Sequence, residues 1–142
     1  MIGYLGSFQH QVDEKGRLNL PAPFRREIGD QALVLVHVFP DSLTLYPQDA
    51  WAGVELRLRD AMRGSPADRM WALRVTSNAV EVTLDKQGRI LVPQRMQDAV
   101  GITGPVLVVG ALSRMELWDP ERFRASAGQA EQNETVTYSV FG

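Results

Sequence analysis

The stretch VDEKGRLNLP at residues 12–21 is similar to the stretch LDKQGRILVP at residues 84–93. The two stretches align without a gap at an offset of 72 residues (84 − 12 = 72). At the same offset the similarity extends over residues 7–51 and 79–123. Because self-similarity at a fixed offset is typical of repeated modules, the sequence predicts two copies of one module in one chain.

Each copy predicts a β-hairpin followed by a short helix. Apolar and polar residues alternate on both sides of a Gly-containing loop, which is the pattern of half-buried strands joined by a tight turn. A proline ends the second strand in each copy, and short helices are expected at residues 23–28 and 94–100, each followed by a glycine. Further strands are expected at residues 33–38, 42–46, 106–109 and 115–118.

A helical connector is predicted between the copies. Apolar residues recur at helical spacing from Trp51 to Met62. Ser65 can cap a second helix that begins at Pro66, and this helix is expected to end near Arg74.

The predicted elements divide the chain into four segments of one compact unit. Asp119 and Pro120 predict a further helix, after which the tail from Ala125 is expected to be irregular until residues 136–141. The four segments are a first module (1–51), a helical connector (52–76), a second module (77–124) and a C-terminal tail (125–142).

Composition excludes several classes of protein. The chain has 142 residues, a formal net charge of −2 and no cysteine, so disulfide frameworks, cysteine zinc sites and thiol nucleophiles are excluded. No apolar run approaches the roughly 20 residues that span a bilayer, and the N-terminus lacks the features of a signal peptide. A cytoplasmic protein is therefore expected. The net charge by itself does not suggest a nucleic-acid-binding protein.

The most informative motif is Asp-x-x-Gly-Arg at both loop tips. The aspartate can accept hydrogen bonds from its own loop, the glycine allows a positive φ, and the arginine presents a planar fork of donors suited to phosphate or guanine. Residues 13–26 hold four basic and two acidic residues, and residues 85–95 hold three basic and one acidic. The candidate nucleic-acid contacts are Asp13, Lys15, Arg17 and Arg25 in the first copy and Asp85, Lys86, Arg89 and Arg95 in the second.

A purely structural interpretation stays open at this point. Arg17 and Arg89 can instead form ion pairs with Asp13 and Asp85 that only hold the loops in shape. Arg25 and Arg95 then belong to solvated helix faces.

The loop and helix residues resemble the MraZ family of bacterial regulators, which are built from two tandem AbrB-like swapped-hairpin modules. The resemblance rests on DEKGRL at 13–18 with PAPFR at 21–25, and on residues 80–93, and it runs from about residue 1 to residue 123. It implies a β-rich α+β fold in which the two modules pack as a pseudo-two-fold barrel with connector helices.

The resemblance also implies a function. Members of this family are sequence-specific DNA-binding repressors of the division and cell-wall operon, and they bind short G-rich direct repeats as closed rings of identical subunits. Their DNA-contacting Asp-x-x-x-Arg motif corresponds to Asp13 with Arg17 and to Asp85 with Arg89. The implied partners are double-stranded DNA and further copies of the chain at the nucleoid, with no membrane, cofactor, metal or small-molecule substrate.

Two rival classes of function are weaker. An enzyme is disfavoured because the two histidines have no nearby acidic cluster, and because an arginine beside each aspartate keeps the carboxyl ionised. An antitoxin-like interaction module usually joins one hairpin to a long tail, whereas here two modules precede a tail of 19 residues after Phe123 (142 − 123 = 19). Binding to operator DNA separates the regulator from the interaction module.

Overall fold

A computed structural model of the chain describes residues 2–130 and 133–142. Within these residues the chain has an α+β fold with six helices and two antiparallel sheets, which confirms the α+β part of the predicted fold class. The first repeat contains β1 (Ser7–Gln11), β2 (Arg17–Asn19), α1 (Ala22–Ile28), β3 (Leu33–Val36) and β4 (Ser42–Pro47). The connector consists of α2 (Gln48–Met62) and α3 (Pro66–Asn78). The second repeat contains β5 (Val80–Val82), β6 (Arg89–Leu91), α4 (Gln94–Ala99), β7 (Pro105–Gly110) and β8 (Met115–Trp118), and the tail contains α5 (Pro120–Gln129) and α6 (Glu134–Phe141).

The two repeats exchange strands. The main sheet has the strand order β1-β7-β8-β4-β3-β5, so that β1 pairs with β7 of the second repeat and β5 pairs with β3 of the first. Strands β2 and β6 form a separate two-stranded ribbon, again with one strand from each repeat. The repeats are therefore joined by backbone hydrogen bonds as well as by side-chain packing.

The predicted local hairpins are wrong beyond the loop tips. At the first tip a single bridge pairs Val12 with Leu18, and the Asp13 N–H donates to the Arg17 carbonyl at 3.0 Å. Strand β1 then pairs with β7, not with β2. An alternating pattern shows which side chains face the core, but it does not identify the strand that supplies the backbone partners.

The main hydrophobic core lies beneath the β2–β6 ribbon. Phe24 of α1 packs edge to face against Tyr4 and Phe8, with ring centroids 5.4 and 5.3 Å apart. Leu18 and Ile90 are directly paired across the ribbon and are only 0% and 1% exposed. The inner face of the ribbon therefore closes the core, and its outer face is left to solvent.

The connector helices pack around a second, smaller core that contains Leu58 and Val75. The Ser65 Oγ accepts a hydrogen bond from the Asp68 N–H at 3.1 Å, which confirms the predicted N-cap. Helix α3 continues past Arg74 to Asn78, whose side-chain amide accepts from the His37 N–H at 3.1 Å. This contact with the first repeat extends the helix beyond its predicted end.

Several other boundaries differ from the predictions. Helix α2 begins at Gln48, before the predicted apolar stripe, and β3 ends at Val36 instead of residue 38. Helix α5 begins as predicted, with the Arg122 N–H donating to the Asp119 carboxylate, but it continues to Gln129 where an irregular tail was expected. Residues 131–132 of that expected tail lie outside the described residues. No helix in the described ranges is long and apolar enough to cross a membrane.

Candidate nucleic-acid interface

The first loop is held by the carboxylate of Asp13. Its Oδ1 accepts hydrogen bonds from the backbone N–H groups of Lys15 at 2.9 Å and Arg17 at 2.8 Å. Its Oδ2 accepts from the Arg17 Nε at 2.9 Å. Gly16 completes the turn at a φ of 83°, a conformation that favours glycine. The aspartate therefore has the loop-closing role that the sequence predicts.

The second loop repeats this geometry around Asp85. Its Oδ1 accepts from the N–H groups of Gln87 and Arg89, both at 2.9 Å, and its Oδ2 accepts from the Arg89 Nε at 2.9 Å. One contact differs between the loops, since the Arg89 Nη2 also donates to the Gln87 Oε1 at 3.3 Å. The first loop has Lys15 at the position that corresponds to Gln87 (15 + 72 = 87).

Both carboxylates are held in the charged form. The pKa of Asp13 is lowered mainly by the backbone hydrogen bond from Arg17, and the Arg17 guanidinium lowers it further. The pKa of Asp85 is lowered in the same way by Arg89. The ion pairs of the structural interpretation are therefore present.

These ion pairs leave part of each guanidinium available. In both loops the aspartate engages the Nε atom. Within the described ranges, the two terminal nitrogens of Arg17 donate no hydrogen bond to the protein. The pairing thus fixes the direction of each side chain, and both terminal nitrogens of Arg17 stay free for another acceptor, whereas the Nη2 of Arg89 contacts Gln87.

The β2–β6 ribbon brings the two loops together. The Gly16 carbonyl accepts from the Val92 N–H at 2.7 Å, and the Gly88 carbonyl accepts from the Leu20 N–H at 3.1 Å. Arg17 is paired with Leu91, and Arg89 is paired with Asn19. Because these four residues alternate with the buried Leu18 and Ile90, they share the outer face of the ribbon. Diagonal neighbours of this kind have Cα atoms about 7–8 Å apart, which places Arg17 and Arg89 side by side.

Each short helix supports the loop of the other repeat. A Cβ atom built on Gly88 would clash with the Cδ of Arg25, so Arg25 of α1 lies directly against the second loop. The corresponding residue of α4 is Gln97, whose Nε2 donates to the Val92 carbonyl at 2.9 Å and lies close to Gly16. Arg25 is therefore part of the basic cluster around the ribbon.

The remaining predicted residues divide into two groups. Lys15 and Lys86 are exposed at the loop tips. Arg95 is exposed on α4, but its Nη2 donates to the Asn78 carbonyl at 3.1 Å. It thus caps the C-terminal end of α3 instead of joining either loop.

Sequence reasoning missed two residues of this face, Asn19 and Leu91. Both are exposed, and Leu91 has 56% of its surface in solvent although it is a large apolar residue. The spacing of two residues that separates Asn19 from Arg17 and Leu91 from Arg89 could have indicated them, because side chains two apart in a strand share a face. The cross-repeat register was needed to show that all four meet.

The outer face is suited to bind an anion. It presents two oriented guanidinium groups beside the two exposed lysines of the loop tips, and guanidinium groups are effective donors to phosphate and to base edges. In the described part of the chain, no group of three or more His, Asp or Glu residues is placed to hold a metal ion.

Comparison with known proteins identifies the family. The family model described as "MraZ protein, putative antitoxin-like" matches residues 4–73 and 75–138. The chain is 37% identical to the "Transcriptional regulator MraZ" of Syntrophomonas wolfei over 120 residues, which cover 84% of this chain and 83% of the relative. It is also 37% identical to the protein of the same name from Desulforamulus reducens over 128 residues, which cover 90% and 89% of the two chains. The chain belongs to the MraZ family.

Proposed function

We propose that the chain is a transcriptional regulator that binds double-stranded DNA through the outer face of the β2–β6 ribbon. The observation that carries this proposal is the position of Arg17 and Arg89, which come from different repeats but lie on one exposed face. The name "Transcriptional regulator" that its relatives bear supports the same function.

A two-stranded ribbon is an element that the major groove of DNA can accept. This groove is about 12 Å wide and admits a two-stranded β-ribbon. A guanine offers O6 and N7 as paired acceptors, and an arginine can contact both at once. Because the Nε of Arg17 is held by Asp13, its two terminal nitrogens are the atoms that would contact the base. Arg89 can act in the same way once its Nη2 leaves Gln87.

The basic residues around the ribbon, two exposed lysines and a half-buried arginine, would contact phosphates. Lys15 and Lys86 at the tips and Arg25 beside Gly88 supply this local positive charge. A net charge of −2 for the chain is compatible with DNA binding because only this face has to meet the duplex. We assign Arg95 a structural role instead, since it donates to the end of α3.

The family resemblance supports a proposal for the operator. We propose that the protein represses the division and cell-wall operon at the nucleoid by binding short G-rich direct repeats. We further propose that it assembles into a closed ring of identical subunits, each a pseudo-two-fold swapped-hairpin barrel made of modules 1–51 and 77–124. A ring presents many ribbons at a fixed spacing, and linked sites of this kind can raise avidity by roughly 10²–10⁴-fold.

We propose no catalytic role for the loops. Asp13 and Asp85 are each held ionised by backbone N–H groups and an arginine, so they are poorly suited to donate a proton. Regulation by DNA contact requires neither a cofactor nor a small-molecule substrate.

The test is fluorescence anisotropy with DNA that carries G-rich direct repeats, compared with a scrambled duplex across a salt series. The proposal predicts preferential binding that weakens with salt, with a log–log slope of about −0.9 for each phosphate contacted. Equal affinity for both duplexes, or no binding by the folded protein, contradicts it.

A further inference from the structure

The outer face of the β2–β6 ribbon differs between its two ends. Its four side chains are Arg17 and Asn19 of β2 and Arg89 and Leu91 of β6. At the repeat offset Arg17 corresponds to Arg89 (17 + 72 = 89). Asn19 corresponds to Leu91 (19 + 72 = 91), so a polar amide in one copy is an aliphatic group in the other. Within this face the repeat is therefore kept at the arginines and broken at the two remaining positions.

The strand register places one of the unequal residues beside each arginine. Asn19 lies directly opposite Arg89, and Leu91 lies directly opposite Arg17. Residues opposite each other on one face of an antiparallel pair have Cβ atoms about 4.5–5.5 Å apart. One end of the ribbon thus presents a guanidinium with an amide, and the other end presents a guanidinium with an isobutyl group.

Both of these neighbours are accessible to a ligand. Asn19 is exposed, and within the described residues its side-chain amide takes part in no hydrogen bond. Leu91 has 56% of its surface in solvent. A single exposed leucine is ordinary on a protein surface, but this one lies opposite Arg17, whose terminal nitrogens donate to no described part of the protein. A group that binds these nitrogens is therefore brought close to Leu91.

The loops add to the difference between the ends. At one end the Gln87 Oε1 accepts from the Arg89 Nη2 at 3.3 Å, in addition to the bond from Nε to Asp85. At the other end the residue corresponding to Gln87 is Lys15, whose side chain forms no hydrogen bond or ion pair within the described ranges. The guanidinium of Arg89 is therefore held at two nitrogens and that of Arg17 at one.

In the major groove an amide and an aliphatic group recognise different bases. An asparagine can contact the N6 and N7 atoms of adenine together, and an apolar side chain can contact the methyl group of thymine. An arginine contacts O6 and N7 of guanine. The end with Arg89 and Asn19 is therefore suited to a guanine with an adenine nearby. The end with Arg17 and Leu91 is suited to a guanine with a thymine nearby.

We propose that Asn19 and Leu91 determine which bases flank the two contacted guanines, with Asn19 reading an adenine and Leu91 reading the methyl group of a thymine. This inference rests on the proposed DNA contact and specifies the sequence that the ribbon prefers. Because the symmetry of a binding site mirrors the symmetry of its protein, a ribbon with identical ends would bind in either orientation. Unequal ends favour one orientation, which suits direct repeats because all of their boxes run in the same direction.

Selection from randomised DNA tests the assignment of bases. The probe is a pool of duplexes with a randomised segment between fixed ends, and the bound duplexes are sequenced. The unaltered protein should enrich a sequence with adenine near one guanine and thymine near the other. Leu91→Asn makes the two ends alike and should replace the thymine preference with a second adenine preference. Asn19→Leu should produce a second thymine preference in place of adenine.

The exchange variant Asn19→Leu/Leu91→Asn is the matched control. It has the composition and net charge of the unaltered protein, and it carries one asparagine and one leucine on the outer face. It should therefore again enrich a sequence with one adenine and one thymine. Circular dichroism confirms that each variant is folded.

Modified bases test each contact separately on the enriched duplex. Deoxyuridine in place of the thymine removes only the methyl group, and the unaltered protein should bind about fourfold more weakly, as expected for one buried methyl group. Leu91→Ala should show little of this loss. Replacing the adenine by 7-deazaadenine removes N7 and should weaken the unaltered protein by about fivefold, with little effect on Asn19→Ala.

Three results would overturn the proposal. The first is an unchanged base preference in folded Leu91→Asn and Asn19→Leu. The second is an equal loss on deoxyuridine for Leu91→Ala and the unaltered protein, and the third is an equal loss on 7-deazaadenine for Asn19→Ala and the unaltered protein. In all three cases a guanine preference that depends on Arg17 and Arg89 would leave the proposed function standing. Binding by the unaltered protein without any sequence preference would remove the proposed function as well.

Discussion

Arg17 and Arg89 are diagonal neighbours on the outer face of one two-stranded ribbon, although they lie in different repeats of the sequence. Each is oriented by an aspartate four residues earlier, whose carboxylate accepts a hydrogen bond of 2.9 Å from the arginine Nε. The fold therefore converts a sequence repeat into a pair of matched cationic groups. The predictions below follow from this relationship and from the contacts that hold it.

Loss of either arginine should weaken DNA binding. Arg17→Ala or Arg89→Ala removes one bidentate contact, for which about 1–3 kcal/mol of base discrimination is expected. Arg17→Lys should lose most of the same discrimination because an ammonium lacks the planar fork. The measurement is anisotropy with repeat-bearing and scrambled DNA at one fixed salt concentration.

Arg124→Ala is the matched control for these variants. Arg124 is exposed on α5, away from the ribbon, and its replacement by alanine removes the same charge. Similar losses for Arg124→Ala and Arg17→Ala would show that overall charge, and not the ribbon, determines DNA binding.

Substitution of Gly88 should destabilise the second loop. Gly88→Ala places a methyl group against Arg25 and adds a side chain at a φ of 77°, so we expect a loss of about 2–4 kcal/mol from overpacking and backbone strain together. Gly29→Ala is the control, because Gly29 also has a positive φ, of 61°, but has no atom within 4 Å of the added Cβ. Urea denaturation of both variants measures the difference, and equal losses would contradict the close contact with Arg25.

The aspartates should make stability depend on acid pH. The pKa values of Asp13 and Asp85 are lower in the folded chain than their usual value of 3.8, so the native state favours the charged form. Their contribution is therefore present above the unfolded-state pKa and is lost as the pH falls through the lower folded-state pKa. Urea midpoints should fall more steeply below about pH 4 for the unaltered protein than for Asp13→Asn/Asp85→Asn. Parallel curves for the two proteins would contradict this role.

Leu91 should matter more for DNA binding than for stability. Leu91→Ala should change the free energy of unfolding by no more than about 0.5 kcal/mol, because the side chain is 56% exposed. It should nevertheless lower DNA affinity, since the side chain lies beside Arg17 on the contact face. Val136→Ala, at a valine of α6 that is 52% exposed, serves as the control and should leave affinity unchanged.

Much of the fold could be predicted because alternation and helix capping depend on residues that are close together in the sequence. The α+β class follows from alternating strands and capped helices, and Ser65 acts as the N-cap that its sequence context indicates. The partner of β1 could not be predicted in this way, because alternation defines a buried face without defining the neighbouring strand. The end of α3 was missed for a related reason, since Asn78 is held by a contact with His37 in the first repeat.

The candidate site shows the same division between local and distant contacts. The hydrogen bond that the Arg17 Nε donates to Asp13 spans four residues and follows from the loop motif. The contact of Arg25 with Gly88 and the capping role of Arg95 depend on how the repeats pack, which no local pattern reports. The roles of the eight predicted residues in DNA binding stay predictions until they are measured.

The most direct test of the central claim combines a change in the protein with a change in the DNA. Replacing guanine by 7-deazaguanine in the repeats removes the N7 acceptor while leaving the Watson–Crick edge intact. If Arg17 and Arg89 contact guanine, this replacement should weaken binding of the unaltered protein by about tenfold or more and should have little further effect on Arg17→Ala/Arg89→Ala. Equal losses for both proteins would show that the arginines do not read the base and would contradict the account.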